Sequence, residues 1–176
     1  MSSQTLHNDL PLDSPEQRAH AALDKATAAL DGPNVAAARV DADLAVALWR
    51  QCAPDSAECV RAQLVLGQVM TLEAHYIDAA KLLESALLVA ERMAYSELIC
   101  EIHGHLVLIC SDCVGLYEVA LLHATVAVEV AESAHLPLAT VRALIRLAGA
   151  VARSDPGERA ERLGLLALSL ARDQHF

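Results

Sequence analysis

The residues best suited to chemistry form one Cys-x-x-Cys segment, Cys110-Ser111-Asp112-Cys113. Two thiolates at this spacing can share one zinc ion. Further candidate ligands lie nearby in the sequence: Cys100, His103, His105 and His123. Zinc fingers and ribbons use a second ligand pair, however, and the sequence contains no second Cys-x-x-Cys. We therefore predict buried free thiols and no metal, and keep a small-ligand, metal or redox sensor built on Cys110, Cys113 and His103 or His105 as the alternative.

No enzymatic framework accompanies these cysteines. The sequence has no phosphate-binding glycine loop, no serine nucleophile between paired glycines and no His-Glu-x-x-His motif. His103 and His105 are two residues apart, which places them on nearly opposite faces of a helix, so they cannot share one ligand. We predict that the chain is not an enzyme and uses no cofactor.

The elements that must position these residues are helices. The chain shows no sustained alternation of apolar and polar residues and no Asn-Gly or Asp-Gly hairpin between apolar runs. Capping boxes are predicted at Ser14–Gln17 and at Asp55–Glu58, and Ser96 is predicted to cap the fifth helix. The predicted helical hairpins span residues 14–51, 55–93, 96–134 and 137–173, after a flexible leader at 1–13.

Pairs of alanines recur along the chain with a period of 40 to 41 residues. The pairs are Ala38 and Ala45, Ala79 and Ala86, Ala120 and Ala127, and Ala160 and Ala167. A small residue precedes each first alanine by twelve positions (Ala26, Gly67 and Ala148), except that Leu108 stands in the third repeat. A fixed period in this range is typical of stacked repeats, and small residues let paired helices approach closely. The predicted fold is all-α: a right-handed α-solenoid of four helical hairpins, about eight helices, in one domain.

The small-residue grid resembles the tetratricopeptide repeat. Residues 60–91 match its motif best, and the matching residues are Leu66, Gly67, Met70, Ala74, Tyr76, Ala79, Leu83 and Ala86. The chain departs from the motif in two ways. The closing proline is replaced by Arg50, Glu91, Glu132 or Arg172, and the period exceeds the usual 34 residues by nearly two helical turns.

The resemblance implies that the first helix of each repeat lines a concave binding groove. Carried over position by position, the groove residues include Arg61, Leu64, Gln68, Ile102, His105, Ile109, Arg142 and Ile145. The groove is then apolar, with Arg61, Gln68, His105 and Arg142 as polar points. Two readings of the arginines remain open: Arg61 and Arg142 hold a partner's carboxylate by bidentate contacts, or they pair with neighbouring acidic side chains.

Composition restricts the partners. The net charge of −10 is spread along the chain, which argues against a nucleic-acid binder. No apolar run reaches the ~18 residues that a membrane span needs. The N-terminus lacks the basic and apolar regions of a signal peptide, and the cysteine count is odd. We therefore predict a cytoplasmic protein with mostly free thiols.

Lengthened tetratricopeptide-like repeats of this kind are found in bacterial regulators. By that resemblance we predict a module that binds a protein or peptide, or that self-associates as a homodimer through its terminal hairpins. The last hairpin has no polar capping helix, so we expect the natural protein to continue past Phe176 into an output domain such as a diguanylate cyclase. A free-standing adaptor is the other possibility.

Overall fold

The computed structural model describes residues 14–30, 34–154 and 157–174. These ranges contain eight α-helices, one π-helical segment and no β-strand. The predicted leader at 1–13 lies outside the described residues. The helices are α1 (Pro15–Leu30), α2 (Val35–Cys52), α3 (Ala57–Leu72), α4 (Tyr76–Arg92), α5 (Ser96–Leu108), α6 (Tyr117–Ser133), α7 (Pro137–Ser154) and α8 (Glu158–Asp173). None of these helices is both long enough and apolar enough to cross a membrane.

The helices stack as four consecutive hairpins, as the repeats predict. Each helix packs against the next along the chain. The odd-numbered helices also contact one another, α1 with α3, α3 with α5 and α5 with α7, whereas no comparable contact joins even-numbered helices in the described part of the chain. The odd-numbered helices therefore form the more closely spaced, inner side of an α-solenoid, which we call the concave face.

Two of the predicted helix starts differ from the structure. The capping box at Ser14 is confirmed, because Gln17 N–H donates to Ser14 Oγ at 3.2 Å and Ser14 N–H donates to Gln17 Oε1 at 2.7 Å. The cap of α3 is Ser56, which accepts from Cys59 N–H, and not Asp55, whose carboxylate instead accepts from Arg92. Ser96 is the first residue of α5 rather than its cap.

A tight left-handed turn closes three of the helices. At the end of α3, Ala74 has φ 62°, its N–H donates to Thr71 O, and His75 N–H donates to Met70 O. This pair of bonds is the Schellman motif. Ala94 and His135 repeat it after α4 and α6, with φ 55° at each. These connections are short although none of the three residues is glycine.

The predicted alanine grid lies at the hairpin crossings. Seven of the eight paired alanines are buried: Ala38, Ala45, Ala79, Ala86, Ala120, Ala127 and Ala167. Ala160, at the last hairpin, is only half-buried. Gly67 marks a close approach of α3 and α4, since a Cβ built there would lie 2.8 Å from Leu83 Cδ2. The four repeats are therefore joined where their side chains are smallest.

The third repeat departs from the grid because α5 ends in a π-helical segment, Ile109–Val114. A π turn contains one residue more than an α turn, so it rotates the residues before it relative to the next helix. Leu108 is accordingly half-buried, and Val107 and Cys110 belong to the core cluster that contains Ala120. This explains why the expected small residue is missing twelve positions before Ala120.

The buried apolar side chains form three separate clusters along the stack. The first joins α1, α2 and α3, the second joins α3, α4 and α5, and the third runs from the end of α5 through α6 and α7 to α8.

Candidate functional site

The Cys-x-x-Cys segment forms the π-helical turn at the end of α5. Cys110 is buried and Cys113 is half-buried, and all five cysteines are unbonded thiols. In residues 14–30, 34–154 and 157–174, no three His, Cys, Asp or Glu side chains are grouped to hold a metal ion. The structure therefore gives no support to the alternative of a metal sensor at Cys110, Cys113 and His103.

The environment of the thiols keeps them in their neutral form. Burial raises the pKa of Cys110, and the charge of Glu84 raises it further. Burial also raises the pKa of Cys113, with Asp112 adding to the effect. Because the thiolate is the nucleophile and the metal ligand, raised pKa values disfavour the reactive form of both cysteines. Cys110 packs in the third core cluster.

His103 and His105 point away from each other, as their spacing predicts. The Nδ1 atom of His103 lies 3.0 Å from Nδ1 of His123 on α6, whereas Nε2 of His105 lies 2.6 Å from Gln68 Nε2 on α3. His103 is buried, and its Nε2 atom has no partner in the described part of the chain. Burial lowers the pKa of His103 to about 4, with a smaller contribution from His123. The two rings are held as a neutral, hydrogen-bonded pair between α5 and α6.

This neutral pair predicts that stability falls as the pH is lowered. When both rings are protonated, neither Nδ1 can accept the hydrogen bond, and the charge is buried. The folded state then binds fewer protons than the unfolded state, so stability is full above the ordinary histidine pKa of 6.5 and is lost progressively down to about pH 4. Urea unfolding of the wild type should lose about 2–3 kcal/mol more between about pH 7.5 and 4.5 than unfolding of His103→Leu. Equal losses in the two proteins would contradict the buried neutral pair.

Three of the predicted groove residues are not on the groove surface. Leu64, Ile102 and Ile109 are buried in the second core cluster, against α4 and α5. The expectation that they contact a partner is therefore corrected. They lie in that cluster together with Leu83 and Ala86 of α4.

The remaining predicted groove residues are accessible. Arg61 and Arg142 are exposed, Gln68 and His105 are half-buried, and 57% of the Ile145 surface is exposed. Gln68, His105 and Arg142 come together at one pocket of about 400 Å³ between α5 and α7, which we call the α5–α7 pocket. Its lining is Gln68, Glu97, Cys100, Glu101, Gly104, His105, Leu136, Pro137, Leu138, Ala139, Arg142, Ala143 and Arg146. Arg61 and Ile145 do not line it.

Arg146 is the residue that distinguishes this pocket. Its side chain lies across α5 at Gly104, where a built Cβ would come within 3.1 Å of Arg146 Nε. Burial lowers the pKa of the Arg146 guanidinium, and Asp112 partly offsets this. Asp112 itself pairs with Arg153 at 2.9 Å, and Arg146 makes no ion pair in the described part of the chain. A half-buried cation without a carboxylate partner is suited to bind an anion.

The pocket also contains carboxylates. Burial raises the pKa of Glu101, while Arg61 and Arg142 on the flanking helices lower it and Glu97 raises it. On the other side, burial and the charge of Arg146 lower the pKa of His105 to about 4, so His105 is neutral at pH 7. The pocket therefore presents separate acidic and basic groups together with a neutral imidazole.

Sequence analysis alone did not identify the pocket residues Glu97, Glu101, Gly104 and Arg146. One signal was available: Arg146 follows Arg142 by one helical turn, and Gly104 precedes Arg146 by about one repeat period. The segment Leu136–Ala139 also lines the pocket.

No protein-family model and no curated protein sequence matches this chain. Among solved structures, the chain is similar to the apo form of RapI, with a TM-score of 0.81 and 16% sequence identity over 94% of its length. The match covers 59% of the RapI chain, so this chain spans about three fifths of that protein. The fold is a helical repeat solenoid. At this identity the likeness extends to the fold and no further.

Proposed function

We propose that the chain is a non-enzymatic module that binds a protein or peptide segment on its concave face, at the α5–α7 pocket. One observation carries the proposal: Gln68, His105 and Arg142, from three consecutive repeats, line one pocket of about 400 Å³. This volume lies in the range of pockets that bind drug-sized ligands. The exposed Ile145, beside the pocket on α7, adds apolar surface for a longer segment.

This proposal changes which arginines of the predicted groove would bind a partner's carboxylate. A carboxylate of the partner would bind to Arg142 and Arg146, since both line the pocket, and not to Arg142 and Arg61. Arg61 acts on the site indirectly, because its charge lowers the pKa of Glu101.

The proposal is tested by selecting binders from a phage library of random twelve-residue peptides on the purified protein. Selected peptides should bind Arg142→Ala at least about tenfold more weakly, because one charge-assisted hydrogen bond contributes about 1.5–3 kcal/mol. Arg162→Ala is the matched control, since Arg162 pairs with Glu158 on the exposed surface of α8. Failure to select any peptide, or equal binding to Arg142→Ala and wild type, would contradict the proposal.

Two further expectations stay predictions. Regulation of an attached output domain, such as a diguanylate cyclase, is the first of them. Homodimerisation through the terminal hairpins has one observation in its favour: α8 exposes Leu165, Leu166 and Leu168. Contiguous exposed leucines are typical of surfaces that a further helix or a second copy covers.

A further inference from the structure

The four charged side chains that line the α5–α7 pocket balance one another. Glu97 and Glu101 project from α5, and Arg142 and Arg146 project from α7. No ion pair joins any of the four to another side chain in the part of the chain that the structure describes. Elsewhere on the surface arginines do pair with acids, as Arg39 does with Glu73 at 2.7 Å. The pocket thus offers two anionic and two cationic groups that remain free for a ligand.

These charges are ordered along the pocket. Gly104 of α5 lies against Arg146 of α7. About one turn earlier on each helix, Glu101 lies near Arg142, whose charge lowers the pKa of Glu101. α5 and α7 therefore run in the same direction. Glu97 in the first turn of α5 therefore marks one end, and Arg146 marks the other. Glu101 and Arg142 lie between them. Seven residues of helix separate Glu97 from Gly104, which corresponds to about 10 Å along the axis.

We propose that the α5–α7 pocket selects an extended peptide segment with a basic and an acidic side chain three residues apart. The basic side chain binds at Glu97 and Glu101, and the acidic side chain binds at Arg146 and Arg142. In the extended polyproline II conformation three residues rise about 9 Å, and side chains three residues apart lie on the same face. Both charges can then enter the pocket at close to the separation of its two ends. This inference rests on the proposed function and specifies the partner's chemistry.

A purely anionic or purely cationic segment fits this pocket less well. An acidic segment would meet Glu97 and Glu101, and a basic one would meet Arg142 and Arg146, and like charges at close range weaken binding. The segment Leu136–Ala139 and Ala143 supply apolar contacts for the residues between the two charges. Gln68 Nε2 is bonded to neutral His105, which leaves the amide oxygen of Gln68 as an acceptor for the peptide backbone.

The experiment uses capped synthetic peptides and isothermal titration calorimetry. The probe is acetyl-GLKALEG-amide, in which Lys and Glu are three residues apart. The comparison peptides carry Gln at both charged positions, or place Lys and Glu seven residues apart in a longer chain. The probe should bind at least about tenfold more tightly than either comparison peptide, because each charge-assisted bond contributes about 1.5–3 kcal/mol.

Single-charge peptides assign each end of the pocket. Arg146→Gln should abolish the increase in affinity that comes from the peptide's Glu and keep the increase that comes from its Lys. Glu97→Gln should abolish the increase from the Lys and keep the increase from the Glu. Arg142→Gln gives a second test of the basic end, because Arg142 is exposed and its replacement leaves the core intact. Arg162→Gln on α8 is the control and should bind all peptides as the wild type does.

Two outcomes would overturn this inference. If the double-Gln peptide binds as tightly as the probe while Arg142→Gln weakens both equally, the charge rule is wrong and peptide binding at the pocket stands. If none of the synthetic peptides binds, the inference is also wrong, and the selection from the random library then decides whether the proposed function fails with it.

Discussion

Replacing Ile102 by alanine should lower the free energy of unfolding by about 2–5 kcal/mol. Ile102 is fully buried in the second core cluster, where α5 packs against α3 and α4. Truncation removes apolar contacts and leaves a cavity that the neighbouring helices can fill only partly. The change is measured as the shift in the midpoint of urea unfolding followed by circular dichroism.

Ile145→Ala is the matched control for Ile102→Ala. Both isoleucines were predicted to line the groove, but Ile102 is buried, whereas 57% of the Ile145 surface is exposed. Its truncation should change the unfolding free energy by no more than about 0.5 kcal/mol. Comparable losses at the two positions would contradict the corrected assignment, in which Ile102 serves the core and Ile145 the surface.

Replacing Gly67 by alanine should destabilise the protein by about 1–3 kcal/mol, although alanine is the better helix former. A Cβ at Gly67 would lie 2.8 Å from Leu83 Cδ2 and 2.9 Å from Leu83 Cγ. Leu83 is fully buried, so it has no room to move away without displacing its neighbours in α4 and α5. Thermal and urea unfolding both report the loss.

Gly164→Ala supplies the opposite case. Gly164 also lies within a helix, α8, but nothing lies within 4 Å of a Cβ built there. Only the helix propensity changes, which should stabilise the protein by up to about 1 kcal/mol. A loss of stability at Gly164, or none at Gly67, would show that the close approach of α3 and α4 is not what restricts Gly67.

The architecture was predictable because two independent signals in the sequence agree. The alanine pairs fix the period, and the turn and capping residues fix where each helix ends. The π turn at Ile109–Val114 was not predictable in this way, because its residues are compatible with an ordinary helix end.

The site was predictable only in part, for a geometric reason. The motif positions name one stripe on each first helix, but the neighbouring helices decide which turns of that stripe are covered by the core and which stay open to the groove. Gln68, His105 and Arg142 lie at the pocket, whereas Leu64 and Ile109 face the core. The contact of Arg146 with Gly104 depends on how α5 and α7 pair in space, and a pattern within one helix does not contain that pairing.

The division of the interior into three apolar clusters has a thermodynamic consequence. In a linear array, each unit is stabilised mainly by its neighbours, so opening one joint costs less than melting the entire molecule. Gln68 lies on α3, which belongs to the first and second clusters, while Arg146 lies on α7, which belongs to the third. A bound segment that contacts both side chains would link helices that belong to neighbouring apolar clusters. If the proposed peptide binds there, we expect it to raise the resistance of the whole array to partial unfolding, beyond the surface that the peptide itself covers.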